Sequence, residues 1–356
     1  MIYAPAASAD FQTQFTAELE RLASDVSEFL GDNLVALILG GGYGRGEGGV
    51  VNRDNRELPY NDLDLTIVVN EPSSVDQYRL EAIGMKASDA IGIEVDFSRP
   101  VAPCDIQNWP NTLMWHDLLN GHIVLAGESD ILRRLAPPCL SEPVAPTEAL
   151  RLLLNRGSGL LWALAITHGD EPSPDDDFVV RNAYKCLLSL GDAVLITNKK
   201  YNTQYKGRDA ILDRLCADDP DIKALNIQDR YRAALIFKFT PDLAPALDTD
   251  IAGLRAVADA WMSVMLYVEN SRYDRASWQT MSEYIAWNGI REPAQNAASR
   301  WPKNALHNGA LGRLSLRYPR EQLYRSLPAL LISERDRPAN WSNRVKDYLA
   351  IWKRFN

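Results

Sequence analysis

Leu34-Val35-Ala36-Leu37-Ile38-Leu39-Gly40-Gly41-Gly42-Tyr43-Gly44-Arg45-Gly46-Glu47, followed by Asn61-Asp62-Leu63-Asp64-Leu65-Thr66-Ile67-Val68-Val69, decides how this chain is read. Leu34 to Leu39 is a short, continuous apolar run ending in glycines, which suits a buried strand. Leu63 to Val69 reads as a second strand. Side chains alternate across a strand, so Asp62, Asp64 and Thr66 share one face while Leu63, Leu65 and Ile67 point into the core. The two carboxylates then stand ~6–7 Å apart along the backbone. Like charges so placed are unfavourable unless a cation bridges them. Magnesium, which prefers oxygen ligands, is the natural partner. Taken alone, Asn-Asp-x-Asp is equally the solvated turn at the start of a strand.

The flanking sequence supplies the rest of a mixed α/β unit. Phe11, Phe15, Leu19, Leu22 and Val26 form one apolar face of a helix over 10–30, with Asp10 as its cap and Gly31 as its stop. Gly40 to Asn61 reads as a glycine-rich polar loop. Ser74 with Gln77 resembles a capping box and opens a helix through Ala90. Ile91 to Phe97 is a third strand, Thr112 to Leu119 a helix, and His122 to Ala126 a fourth strand. Glu94 and Asp96 share a face of the third strand. If that strand neighbours the second, a third carboxylate meets the first two, and three can hold two metals. Spacing does not choose between Glu94 and Asp96.

Gly44 to Gly49 matches G-x-G-x-x-G, but residues 50–61 lack a helical period and carry Pro59. A dinucleotide fold needs a helix there, so that reading fails. No lysine follows the glycines, which excludes a Walker loop. The glycines either form a long surface turn or let backbone amides approach an anion with no Cβ in the way.

The chain has 356 residues, 46% hydrophobic and 24% charged, a globular composition. Its four cysteines and four histidines form no CxxC pair and no ligand cluster, which argues against a disulfide scaffold and a zinc site. The N-terminus lacks a signal-peptide pattern and no apolar run is long enough for a bilayer, so a cytoplasmic protein with no membrane partner is expected. Residues 1–140 hold 9 basic and 21 acidic side chains, a poor nucleic-acid surface, whereas 291–356 hold 13 basic and 5 acidic. Pro137, Pro138, Pro143 and Pro146 mark a linker. Beyond it the pattern predicts helices over 147–168, 177–198, 208–217, 221–237, 250–271, 275–287 and 341–354. The expected architecture is α/β over 1–140, a small mixed sheet with flanking helices, followed by an all-α domain over 141–356.

The paired motif resembles the signature of the DNA polymerase β-type nucleotidyltransferase superfamily. There an apolar strand, Gly-Ser and a short loop often holding Arg-Gly-Glu precede Ser-Asp-x-Asp, with a third aspartate on a later strand. The resemblance covers about 1–130 and implies the nucleotidyltransferase fold. It implies that Asp62, Asp64 and Asp96 bind two magnesium ions and a nucleoside triphosphate, ATP by default, and that Gly41 and Gly42 hold the triphosphate. Arg45 is the loop's cation for that anion. The acceptor would be a small molecule, or else a protein or tRNA. Two departures stand out. Gly42 takes the place of the usual serine, and the gap to Asp62 is long, so that 50–60 could lie over the site. The helical half loosely resembles poly(A) and terminal uridylyl transferases, which would give Lys185 a phosphate contact and Tyr205 a stacking role. Arg300 and His307 fit a helical ribonuclease pattern poorly. A non-catalytic nucleotide-binding or toxin–antitoxin protein that keeps the fold is the competing expectation.

Overall fold

The structure, a computed structural model, describes residues 1–273 and 278–355. The chain divides into two compact units. The first comprises Met1–Val144 together with Tyr201–Arg208 and Leu235–Pro245, and the second comprises Ala145–Lys200, Asp209–Ala234 and Ala246–Asn356. Two short stretches of the second half thus build part of the first unit.

The first unit opens with helix α1 (Ala9–Leu30). Its cap is Ser8, not Asp10: the Ser8 hydroxyl accepts the Phe11 N–H at 3.2 Å. Gly31 ends it at φ +49°, where a side chain would be strained. Strand β1 (Leu34–Leu39) leads into a single helical turn, α2 (Gly41–Gly44). Strands β2 (Gly49–Arg53) and β3 (Arg56–Tyr60) then form an antiparallel hairpin. This corrects the loop expected over 40–61. Asp54 and Asn55 both take positive φ, the requirement of a tight hairpin turn whose twist matches its strands. Buried Val50 and Val51, the Tyr43 hydroxyl and an edge contact from Tyr60 to Phe237 fix the hairpin to its unit.

Strand β4 (Asp62–Val69), helix α3 (Gln77–Ile91) and strands β5 (Glu94–Phe97) and β6 (Ile123–Gly127) complete the sheet. Asp76 rather than Ser74 caps α3, accepting the N–H groups of Tyr78 and Arg79. The third strand starts three residues later than expected, because α3 runs to Ile91 and Gly92 ends it at φ +87°. Strand order is β5-β4-β1-β6, with β1 antiparallel to both neighbours and β4 parallel to β5. One face of the sheet packs Leu37, Leu39, Leu63, Leu65 and Ile67 against α1. The other packs Ile38 and Val68 against Ile106, Trp109 and Leu118. Alternation puts Asp62 and Asp64 on this second face, at the end of β4 where the apolar cover stops.

The second unit is helical among the described residues. Pro146–Thr167, Phe178–Thr197 and Ile251–Arg272 pack together, with Leu323–Ser333 and Trp341–Phe355 alongside. Ile251–Arg272 has the length and apolar character of a membrane span. Its Trp261 is nevertheless fully buried inside the unit, where the indole donates to the Leu153 carbonyl at 2.8 Å. The helix expected over 221–237 is two, Pro220–Ala224 and Gln228–Phe239, broken where Asn226 takes φ +51°. Of the helix expected over 275–287, residues 275–277 lie outside the described residues, and Met281–Ala286 is helical. The apolar pattern does not reveal Trp301–Gly309 or Leu323–Ser333, which hold Pro302 and Pro328.

Candidate functional site

The parallel register of β4 and β5 sets Asp62 opposite Glu94 and Asp64 opposite Asp96. Four carboxylates therefore share one face across two strands. Asp64 responds most. The residue reaches solvent, yet protein atoms crowd around its carboxyl. That crowding, with the charges of Asp62 and Asp96, lifts its pKa to about 6 against the pull of Arg45 and Lys238. Among the described residues no three His, Cys, Asp or Glu side chains close into a metal cage.

The glycine loop borders these carboxylates. The Gly40 N–H donates to the Asp64 carbonyl at 2.8 Å, tying the loop to β4. Gly41 takes φ +58°, and a Cβ there would lie 1.9 Å from Asp64 Oδ2. Backbone conformation and space both demand glycine, so the peptide lies directly against the carboxylate. A Cβ on Gly42 would lie 3.2 Å from both the Glu47 carbonyl oxygen and the Lys238 ammonium. Lys238 therefore reaches the loop at the position where the resembling family carries serine. Its ammonium also lies 5.0 Å from the centre of the Tyr205 ring.

Arg45 faces inward. Its side chain is only 9% exposed, 3.6 Å from Glu47 and 4.0 Å from Asp117. Buried Glu47 accepts the N–H groups of Tyr205 (2.9 Å) and Lys206 (3.2 Å), latching segment 201–208 to the loop. Buried Arg208 donates to the carbonyls of Asn202, Thr203 and Gln204 and lies over the rings of Tyr201 (4.3 Å) and Tyr205 (3.9 Å). The Tyr201 hydroxyl donates to Asp117 at 2.9 Å. Burial raises the Asp117 carboxyl above its usual range, while Arg45, Arg208 and that hydroxyl oppose the rise.

Within the first unit the structure thus brings Gly41, Gly42, Arg45, Asp62, Asp64, Asp96 and Tyr205 together. Lys185 lies on Phe178–Thr197 of the second unit. Farther along that helix face Ser189 and Asp192 are buried, and Asp192 accepts the Tyr231 hydroxyl at 2.7 Å. His307 makes an edge contact with Phe355. Sequence reasoning missed Lys238, Asp117 and Arg208. Tyr201 and Tyr205 lie in a non-helical segment that shows no periodicity, and nothing local distinguishes Lys238 between Phe237 and Phe239. In comparisons with known proteins, no family model and no curated protein matches the chain.

Proposed function

We propose that the chain is a metal-dependent nucleotidyltransferase. It moves a nucleoside monophosphate from a nucleoside triphosphate, ATP by default, to an acceptor hydroxyl and releases pyrophosphate. The observation that carries this reading is the register of β4 and β5, which sets Asp96 beside Asp64 next to a glycine loop approached by a lysine. The donor set fits magnesium: all-oxygen and anionic, with a carboxyl near pKa 6 that is ionised at neutral pH. Asp62, Asp64 and Asp96 would hold two ions. When bound, they would supply a lowered pKa at the attacking hydroxyl and neutral charge at the leaving pyrophosphate.

The chain's own residues do the rest. Gly41 and Gly42 leave the backbone open to phosphate oxygens, and Lys238 gives the charge that an acidic site needs to draw in a polyanion. Tyr205 offers a ring to the nucleotide from a segment that Glu47 and Arg208 hold in place. Arg45 acts from inside, as a positive field on Asp64. Lys185 is proposed as a further phosphate contact. The acceptor is proposed to be a small molecule, or else a protein or tRNA, and the excess of acidic residues over 1–140 speaks against tRNA. Four free cysteines suit a reducing, cytoplasmic setting.

Glycine at position 42 favours one competing reading, a non-catalytic nucleotide-binding protein of the same fold. The test is to incubate the protein with magnesium, each α-labelled triphosphate and a small-molecule cell extract, and to follow pyrophosphate and the label. Transfer that Asp62→Ala and Asp64→Ala abolish supports the proposal. Binding without transfer supports the competing reading, and no magnesium-dependent binding refutes both.

A further inference from the structure

The second unit holds a cavity of about 300 Å³ whose lining is dominated by arginine. Arg317 and Arg325 both donate to one acceptor, Asn288 Oδ1, at 3.2 and 3.3 Å. Arg313 donates to the side-chain oxygen of Gln322. These acceptors are neutral amides, and among the described residues no carboxylate pairs with any of the three guanidinium groups. Elsewhere in this unit arginines meet acids: Arg320 and Arg151 meet Glu292, and Arg255 meets Glu334. The one carboxylate in the lining, Glu321, already accepts the N–H groups of Arg291 and Glu292 and the Asn296 amide. Two cations that share one neutral oxygen repel each other, and an anion between them would relieve that repulsion.

The backbone that carries Arg317 is also held in advance. Buried Asn308 donates to the carbonyls of Ser315 (3.1 Å) and Arg317 (2.7 Å), and buried Asn304 donates to that of Leu316 (3.1 Å). Buried Arg291 braces the facing loop through the carbonyls of Trp287 and Gly289. The Gln322 side-chain nitrogen, at the cavity's edge, is a buried donor with no partner among the described residues. Donors fixed before binding lose less freedom when a ligand arrives.

We propose that this cavity binds the phosphate group of a small phosphomonoester. Guanidinium forks match tetrahedral oxyanions. Three such charges are better balanced by a group carrying about −2 than by a carboxylate. The volume sits at the lower end of the ~300–1,000 Å³ range of small-molecule sites, which favours a compact ligand over a polymer. The inference uses none of the first unit's carboxylates and stands whether or not the chain transfers nucleotides.

The test is calorimetric titration of the full chain in EDTA with inorganic phosphate, glycerol phosphate and a short single-stranded RNA. Glycerol phosphate is expected to bind more tightly than free phosphate, with affinity falling as salt rises. The double variant R317Q/R325Q should weaken it by at least ~10-fold, the loss of one or two charge-assisted bonds. Asn288→Asp puts a carboxylate between the two arginines; it should abolish phosphate binding and raise the melting temperature, and it keeps the test sharp if the double variant folds poorly. Equal affinity for the two small probes would narrow the site to the phosphate group itself, which still supports it. No saturable binding of either, unchanged binding in both variants, or binding of the RNA alone would overturn the proposal.

Discussion

The substitution Asp64→Asn should stabilise the metal-free protein at neutral pH. The native carboxyl titrates near 6, about two units above its ordinary value of 3.8. The native state therefore holds this proton more tightly than the unfolded chain does. Below pH 3.8 both states are protonated and Asp64 contributes its full stability. Between there and pH 6 the unfolded state ionises first, so stability is lost as pH rises, and the loss levels off above about 7. Two units at 1.36 kcal/mol each would set a ceiling of ~3 kcal/mol. Because the residue reaches solvent, screening reduces this to ~1 kcal/mol. An amide, which does not ionise, avoids the loss, so the variant's advantage should grow between pH 4.5 and 6.5 and then stay level. Urea unfolding of both proteins in EDTA at several pH values measures it. On the proposed reading magnesium reverses the order, because the wild type gains a ligand-linked term that the variant lacks. A variant that is less stable at pH 7.5 in EDTA, or a difference that does not change with pH, would refute the electrostatic account.

Three further outcomes are expected. Gly41→Ala should destabilise by ~1–2 kcal/mol through its left-handed backbone alone, with more from the methyl meeting Asp64, and should lose triphosphate binding; thermal melts and nucleotide titration check both. Gly42→Val should impair nucleotide binding more than stability, because its side chain grows toward the movable Lys238 ammonium; equal losses in the same two assays would leave the loop a turn only. Lys238→Ala should weaken binding of a non-hydrolysable triphosphate by ~1–3 kcal/mol and raise the Asp64 pKa further, because a cation that lowers it has gone; carboxyl ¹³C NMR titration reads the second effect.

The sheet was legible because its strands announce themselves locally. Leu34 to Leu39 is a short apolar run ending in glycines, which suits a strand, and the alternation from Asp62 to Ile67 names both faces. The third carboxylate was half legible. Alternation gave Glu94 and Asp96 one face, and the register pairs each with one carboxylate of β4, Glu94 with Asp62 and Asp96 with Asp64, a pairing that no single strand encodes. The hairpin was missed because Asp54-Asn55 lacks the glycine that usually marks such a turn, while the glycines upstream drew the whole stretch into a loop. Lys238 could not be found at all. Its role depends on segment 235–245 returning to the first unit, a long-range fact carried by Phe237 against Tyr60 and by Tyr205 against Phe239.

These observations bear on why glycine stands at position 42. In the resembling family a serine hydroxyl there donates one neutral hydrogen bond to phosphate. Here the space beside that backbone is bounded by the Glu47 carbonyl and the Lys238 ammonium, each 3.2 Å from where a Cβ would sit. A serine Cβ there would press on both, and the flexible lysine is the one that yields. Glycine lets the lysine come close, and a charged donor binds an oxyanion about twice as strongly as a hydroxyl. On the proposed reading the missing hydroxyl is therefore replaced rather than lost. The pair is testable as a unit. Gly42→Ser alone should weaken triphosphate binding, because it displaces the ammonium. Added to Lys238→Ala it should restore part of the affinity, because the hydroxyl then has room to act. A double-mutant cycle measures that coupling, and a coupling of zero would show that residue 42 and Lys238 serve the site independently.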